Sequence, residues 1–481
     1  MVAPVGGALG CLGLALLVAA PGRGVRLGAL GLIVLGACLL GAPLAPSRNE
    51  SFLAAACVVG ALIAGGVGLS LRRWPWALAF GALLLVPVRF PVHVGGSSPH
   101  LLLPLYVLAA GAVVQMLIET LQGDERHAEL GLLRRPLAAF VLWTGLSLTW
   151  SSDVRAGAVE LLAFILPLGV IGVGIARLPW SRRALAWLTI ELAGMALLFS
   201  GIGFYQYATR NVFWNPKVIV GNAYAPFYRV NSVFWDPSVY GRFLMVAIIA
   251  GLVVVLRGRS LRDAWIATAA LLVTWVGLLV SFSQSSFAGL IAALLLAAAV
   301  AWRWRGAMTV GVLVVVLLSV GISSPHVRNA LLQHSGTGLN ASTSGRASLV
   351  SKGIRIAVDN PLFGVGVGGF KRAYADRTGL KGKEPKKAAS HNTAVTVAAE
   401  SGFTGLALLL WLMGAAFVTT VRWLGRSFEH RVALFVGLAL VAVFIHSLFY
   451  NAFFEDPMTW GLLGLAALAS RTIEQRKGEH E

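Results

Sequence analysis

Apolar stretches of about 15 to 25 residues recur along nearly the whole 481-residue chain, separated by polar connections. A hydrocarbon core near 30 Å is crossed by roughly 20 helical residues, so each stretch is long enough to span a bilayer. The pattern predicts spans near 5–20, 27–44, 52–71, 75–90, 100–120, 136–150, 157–176, 184–206, 238–256, 264–281, 285–302, 307–322, 392–421, 432–450 and 458–470. These stretches do not alternate apolar and polar residues as the strands of a membrane β-barrel do. The expected fold is an all-α polytopic membrane protein of about 12–15 transmembrane helices, with Gly- and Ala-rich spans that allow close packing. Four regions follow: N-terminal helices over 1–206, core helices with a first outer loop over 207–322, a large loop over 323–391, and C-terminal helices with a short tail over 392–481. No internal repeat and no inverted pair of interrupted helices, the mark of many transporters, is visible.

Composition agrees with this pattern. Hydrophobic residues make up 57% of the chain and charged ones 12%, about half the charged share of a soluble domain. A formal charge of +19 would suggest nucleic acid on a soluble chain, but here the cations sort by side of the membrane. Every second connection is short and basic (PGRGVR, the arginines at 72–73, ERHAELGLLRR, RLPWSRR, RGRSLRD, WRWR, RWLGRSFEHR and RTIEQRK), and together these hold 21 Lys and Arg. The short connections on the other side hold three, Arg48, Arg89 and Arg155. The basic loops are therefore expected in the cytoplasm with the C-terminus, and the N-terminus outside if all fifteen spans form. No nucleic-acid partner is expected; the bilayer accounts for the apolar surface. Cys11, Cys38 and Cys57 lie in apolar segments, which fits neither a disulfide framework nor a metal site. The first residues carry no basic run of the kind that opens a cleaved leader.

Two long connections, 207–237 and 323–391, then fall outside. The second carries 11 Lys and Arg against Asp359, Asp376 and Glu384, which favours an anionic partner. In YRVNSVFWDPSVYGRF, residues 228–243, Arg229 sits among aromatic residues before the turn signal Asp236–Pro237. Arg242 lies about one turn inside the next span, where a cation either snorkels to the interface or serves a site. In SGRASLVSKGIRIAVDNPLFGVGVGGF, residues 344–370, the pattern from Arg346 to Val358 is helical. Leu349, Val350, Ile354 and Ala357 form an apolar stripe, with Lys352 and Arg355 off it, as in a helix lying on a bilayer surface. Arg346 stands in its first turn, where a cation opposes the helix dipole. GVGVGG follows a surface helix and not a strand, so it reads as a tight return of the chain to the membrane and not as a dinucleotide loop.

SHNTAVTVAAESGFTGL, residues 390–406, places His391 and Asn392 where the cationic loop meets an apolar run. The histidine is either a polar loop residue or a general base, since neutral imidazole near pH 7 suits that task. Asn392 and Glu400 are its candidate supports. No outer cluster resembles paired carboxylates or a metal set, the acids of FEDP (454–457) read as a turn, and SFSQSSF (281–287) lacks a nucleophile elbow. Any catalysis is expected to need neither metal nor cofactor.

At these residues the chain resembles the O-antigen ligase and Wzy-type polymerase superfamily. YRVNSVFWDPSVYGRF, the hairpin around SFSQSS, GRASLVSKGIRIAVDNPLFGVGVGGF and SHNTAVTVAAESGFTGL occur in the order and spacing of that group, over roughly 200–470. The resemblance implies a GT-C-type glycosyltransferase of the bacterial cytoplasmic membrane, with its active site facing outside. It implies transfer of a glycan from an undecaprenyl-pyrophosphate carrier to a glycan, lipid or protein acceptor. By the same resemblance Arg229 and Arg346 are the family's arginines, expected on the pyrophosphate, and His391 is catalytic; beyond the resemblance, Arg242, Lys352 or Arg355 is expected to support the pyrophosphate. Many members have Ser-Arg where this chain has Ser283–Gln284, which puts Gln284 in the place of a phosphate ligand. The alternative is a transporter or flippase of the same lipid-linked glycans, for which Glu160 and Glu191 are the mid-membrane candidates. A peptidoglycan polymerase of the shape, elongation and division family is a second enzyme alternative whose motifs are absent.

Overall fold

The computed structural model describes residues 2–19, 22–44, 50–91, 100–123, 130–224, 227–257, 260–323, 346–379, 390–421, 425 and 427–478. Nine helices among them are long and apolar enough to cross a membrane, and the chain is an all-α polytopic membrane protein as its pattern predicts. Val2–Ala19 and Arg23–Gly41 pack as a pair through small residues. A Cβ on Gly36 would stand 2.4 Å from the Cα of Gly10, so only glycine permits this approach. Leu166–Ala176 and Pro237–Arg257 are largely interior. Around them, Leu261–Ser281 turns Leu261, Trp265, Ile266 and Leu272 outward, the surface expected of a helix solvated by lipid. Cys11 is buried, Cys38 and Cys57 are exposed, and all three are free.

Four spans differ from their expected form. The stretch at 75–90 forms only an eight-residue helix, Ala77–Leu84. Pro87 and Pro91 deny it further amide donors, and Phe90–Pro91 instead pairs antiparallel with His100–Leu101. The spans expected at 285–302 and 307–322 form one continuous helix, Gln284–Ser323, of 40 residues. No proline interrupts this segment, and at 1.5 Å per residue it is about twice as long as a hydrocarbon core is thick. The span near 157–176 starts at Val154 and passes through a π-helical turn at Leu161–Ile165. Pro167 explains that turn: its ring displaces the carbonyl four residues earlier, and the wider spiral relieves the clash.

The amphipathic helix forms over Arg346–Asp359, but its inward face is rotated from the expected stripe. Gly353, Ile356 and Ala357 are buried, with Ile356 against Phe370 and Tyr374, whereas Ile354 is exposed. Packing against Thr393–Val421 sets the rotation: a Cβ on Gly353 would meet Val395 at 2.5 Å.

Candidate functional site

The site is organised by a crossing of three chain segments. Asn360–Pro361 ends the amphipathic helix, and GVGVGG (364–369) then threads between residues 147–157 and 399–403. Gly364, Gly366 and Gly368 have φ of 66°, 83° and 74°, a region that costs other residues about 1–2 kcal/mol. On one side of the loop, Val365 and Gly366 donate their amides to the carbonyls of Ala399 and Glu400, at 2.9 and 2.8 Å. Those carbonyls are open to them because Thr393–Val421 is broken at Gly402 (φ 68°), and the displaced amide of Phe403 bonds Pro361 at 2.7 Å. On the other side stand serines. Ser151 Oγ donates to the Val367 carbonyl (2.8 Å), Ser152 Oγ donates to that of Gly369 (3.2 Å), and Ser147 Oγ accepts the Val367 amide (3.1 Å). The indoles of Trp143 and Trp150 donate to the carbonyls of Ser401 and Phe363, at 2.9 and 3.0 Å.

Beneath this crossing lies a cavity of 620 Å³. Its polar wall combines Asp153, Glu160, Glu400 and Glu455 with Arg155 and Lys371, plus the small groups of Ser390, Thr393, Thr396 and Asn451. Phe140, Phe164, Phe453 and Phe454 line the apolar side. Glu400 is fixed by accepting the Phe370 amide at 3.1 Å, which also satisfies the start of helix Phe370–Thr378. Glu160 enters the cavity just before the π-helical turn. A smaller apolar hollow of 180 Å³, lined by Leu185, Val253 and Phe435 among others, lies apart from all of these polar groups.

The loop 448–456 carries Asn451 and Glu455 to the cavity and is anchored by Arg242. That side chain is 1% exposed, its Nε lies 2.6 Å from Asp456 Oδ2, and its Nη1 donates to the Ala452 carbonyl at 3.3 Å. Arg242 therefore does not snorkel to an interface; it is committed to Asp456 in the interior. The FEDP acids are correspondingly more than a turn. Asp456 caps helix Pro457–Gly478 by accepting the Met458 amide at 3.0 Å, and Glu455 lines the cavity. Burial raises the Glu455 carboxyl above the usual carboxylate range, opposed by Arg89, Lys371 and Arg242. A raised folded value means that stability is full below the unfolded value, about 4.3, and is lost as pH rises through the folded one. Glu455→Gln is therefore expected to melt above wild type at pH 8, with the gap closing as pH falls toward 4.3, in a thermal unfolding series of detergent-solubilised protein.

Residues 269–410 match the family model for O-antigen ligase. No curated protein matches the chain. The O-antigen ligase segment contains the amphipathic helix, the glycine crossing, His391 and Glu400, and it meets the rest of the chain at the cavity. The resemblance drawn from the motifs thus holds over this segment. Over this segment, less than a third of the chain, the protein is similar to the O-antigen ligase family.

The residues singled out by motif divide into two groups. Arg229 belongs to the first, beside the hairpin that precedes Gln284–Ser323. Its Nε donates to the Ser281 carbonyl at 3.3 Å, its backbone is gripped by the amide of Asn222, and Phe227 stacks on Phe282 with ring centres 4.7 Å apart. Gln284 is exposed at the head of that helix, next to buried Ser283, Ser285 and Ser286. The second group lies in the O-antigen ligase segment, and of its members Glu400 lines the cavity. His391 is half-buried with φ 53°, and its neighbours Ser390 and Thr393 line the cavity, the latter donating to Asn451 Oδ1 at 2.9 Å. Asn392 caps helix Thr393–Val421, its Oδ1 accepting the Val395 amide at 3.0 Å. The amine of Lys352 sits 5.3 Å from the Tyr374 ring centre, and Arg355 is exposed. Arg346 opens the amphipathic helix; its side chain lies outside the described residues.

Sequence reasoning passed over Ser151, Ser152, Asp153, Arg155 and Lys371 as site residues. The available signal was WSSDVR, residues 150–155, a polar run between two apolar stretches on the side opposite the basic loops. Glu160 was weighed only for transport, and Glu455 only as part of a turn.

Proposed function

We propose that the chain is a glycosyltransferase of the bacterial cytoplasmic membrane that moves a glycan from an undecaprenyl-pyrophosphate carrier to an acceptor hydroxyl on the outer face. The observation that carries this reading is the polar cavity where the O-antigen ligase segment, through Ser390, Thr393 and Glu400, meets Asp153, Glu160 and Glu455 from outside it. A binding site for a hydroxyl-rich substrate needs such a polar, partly enclosed volume.

In the proposed reaction His391 takes the proton of the acceptor hydroxyl. The oxygen attacks the anomeric carbon, the bond from that carbon to the pyrophosphate oxygen breaks, and undecaprenyl pyrophosphate leaves with the electron pair. One direct displacement inverts the anomeric centre. Arginine stays charged and binds phosphate through two parallel N–H donors, so Arg229 and Arg346 are assigned to the leaving pyrophosphate, with Lys352 and Arg355 in support. Such donors are worth more at a partly dehydrated surface than in bulk water. No metal takes part in this scheme.

The test is reconstitution of the full chain in vesicles with purified carrier-linked glycan and candidate acceptors, in the presence of a chelator. The expected result is a glycan transferred with inverted configuration. A single added block identifies a ligase and a ladder of lengths a polymerase. Glycan crossing the bilayer with its pyrophosphate bond intact would replace this reading with the transporter.

A further inference from the structure

We propose that the 620 Å³ cavity is the acceptor subsite and takes an uncharged, polyhydroxylated sugar, while the diphosphate of the donor binds elsewhere. The inference rests on the transferase reading above. Four observations carry it.

The first is charge. Four carboxyl side chains, Asp153, Glu160, Glu400 and Glu455, face two cations, Arg155 and Lys371. A pyrophosphate placed among them meets like charge, which disfavours binding. A neutral sugar brings hydroxyl donors, for which carboxyl oxygens are acceptors.

The second is unmet hydrogen-bonding capacity. Glu400 is held by the Phe370 amide. By contrast, the carboxyls of Glu160 and Glu455, each half-buried at the cavity wall, accept no hydrogen bond from the described residues. A carboxylate withdrawn from water without donors is costly, and the hydroxyls of a ligand supply what the protein does not.

The third is shape. The volume lies within the range of about 300–1,000 Å³ that small-molecule sites occupy. One wall is aromatic, with Phe140 and Phe454 stacked at 4.5 Å, and it offers flat apolar faces to the C–H side of a pyranose. Asn451 and the hydroxyls of Ser390, Thr393 and Thr396 line the same cavity. A mostly apolar enclosure with a few convergent polar groups fixes the orientation of a bound ring.

The fourth is position. Ser390 and Thr393 line the cavity on either side of His391 in sequence, and His391 itself is not a lining residue, so a sugar seated there lies beside the backbone that carries the histidine. The cations assigned to phosphate, Arg229, Lys352 and Arg355, are not among the cavity-lining residues.

Two measurements on full-length protein in vesicles test this. In the first, acceptor and donor are titrated separately for wild type, Glu160→Gln and Glu455→Gln. Loss of a charged acceptor is expected to raise the acceptor KM about ten- to hundredfold, with the donor KM changed less than about twofold. A rise in donor KM with acceptor KM unmoved overturns the assignment, as does no change in either. The second needs no turnover. Carbodiimide labelling of Glu160 and Glu455, read by mass spectrometry, is expected to fall when a panel of neutral di- and trisaccharides is added and to be unaffected by inorganic pyrophosphate. Protection by pyrophosphate, or by no sugar in the panel, overturns the proposal. Absence of transfer by wild type defeats the transferase reading instead, and the labelling experiment still decides what the cavity binds.

Discussion

His391→Ala is expected to lower glycan transfer by about 10²–10⁴-fold, the usual worth of a general base, while donor binding and thermal unfolding change little. The backbone adds a constraint that shapes the experiment. His391 has φ 53°, a left-handed conformation that histidine and asparagine adopt more readily than alanine. Alanine therefore removes the imidazole and also a residue suited to that turn. His391→Asn keeps a residue suited to the turn and removes only the base. If both variants lose activity alike, the imidazole is responsible. If asparagine restores turnover to near wild type, the position matters for its turn, and a different group must accept the proton. Separate titration of donor and acceptor distinguishes a chemical defect, which lowers kcat, from a lost contact, which raises KM.

The conformation at His391 also marks where the sequence stopped being informative. The apolar periodicity announced most spans, because lipid and protein interior both demand long apolar helices. It misjudged 75–90 because a proline decides that case locally, and it divided 284–323 because a basic WRWR run resembles a connection even where the backbone continues as helix. The motifs led to His391 and Glu400, which lie inside the matched segment 269–410. They could not reveal that the other half of the cavity comes from WSSDVR and Glu160, since Val367 and Ser147 meet across 220 residues of chain and no short pattern records such a contact. Arg242 shows the same limit. One turn into a span, an arginine that snorkels and an arginine that pairs look alike, and only the approach of Asp456 decides between them. The glycine loop was partly legible. Its composition announced a tight return of the chain, but the reason for each glycine is the backbone of a distant segment.

That reason makes Gly366→Ala the substitution with the largest expected cost in stability. A Cβ on Gly366 would stand 2.2 Å from the Cα and 2.6 Å from the amide nitrogen of Ser151. Both are backbone atoms, so no side-chain rotation relieves the clash. One of the two strands must move, and the bonds at stake include Ser152 N–H to the Val365 carbonyl (2.9 Å) and Val367 N–H to Ser147 Oγ (3.1 Å). Losing such buried bonds costs about 1–3 kcal/mol for each group left unsatisfied, and the left-handed φ of 83° adds about 1–2 kcal/mol. The total exceeds about 4 kcal/mol, a large share of the 5–15 kcal/mol that stabilises a typical domain. Gly379→Ala is the matched control: its φ is also left-handed, at 67°, but nothing lies within 4 Å of the added carbon. The control carries only the backbone term. Fluorescence-detected size exclusion after a heating series should place Gly379→Ala close to wild type and Gly366→Ala far below it, or absent from the soluble fraction. Equal melting of the two variants would mean that the three segments do not cross as closely as Gly366 and Ser151 require, and the cavity beneath them would lose its roof.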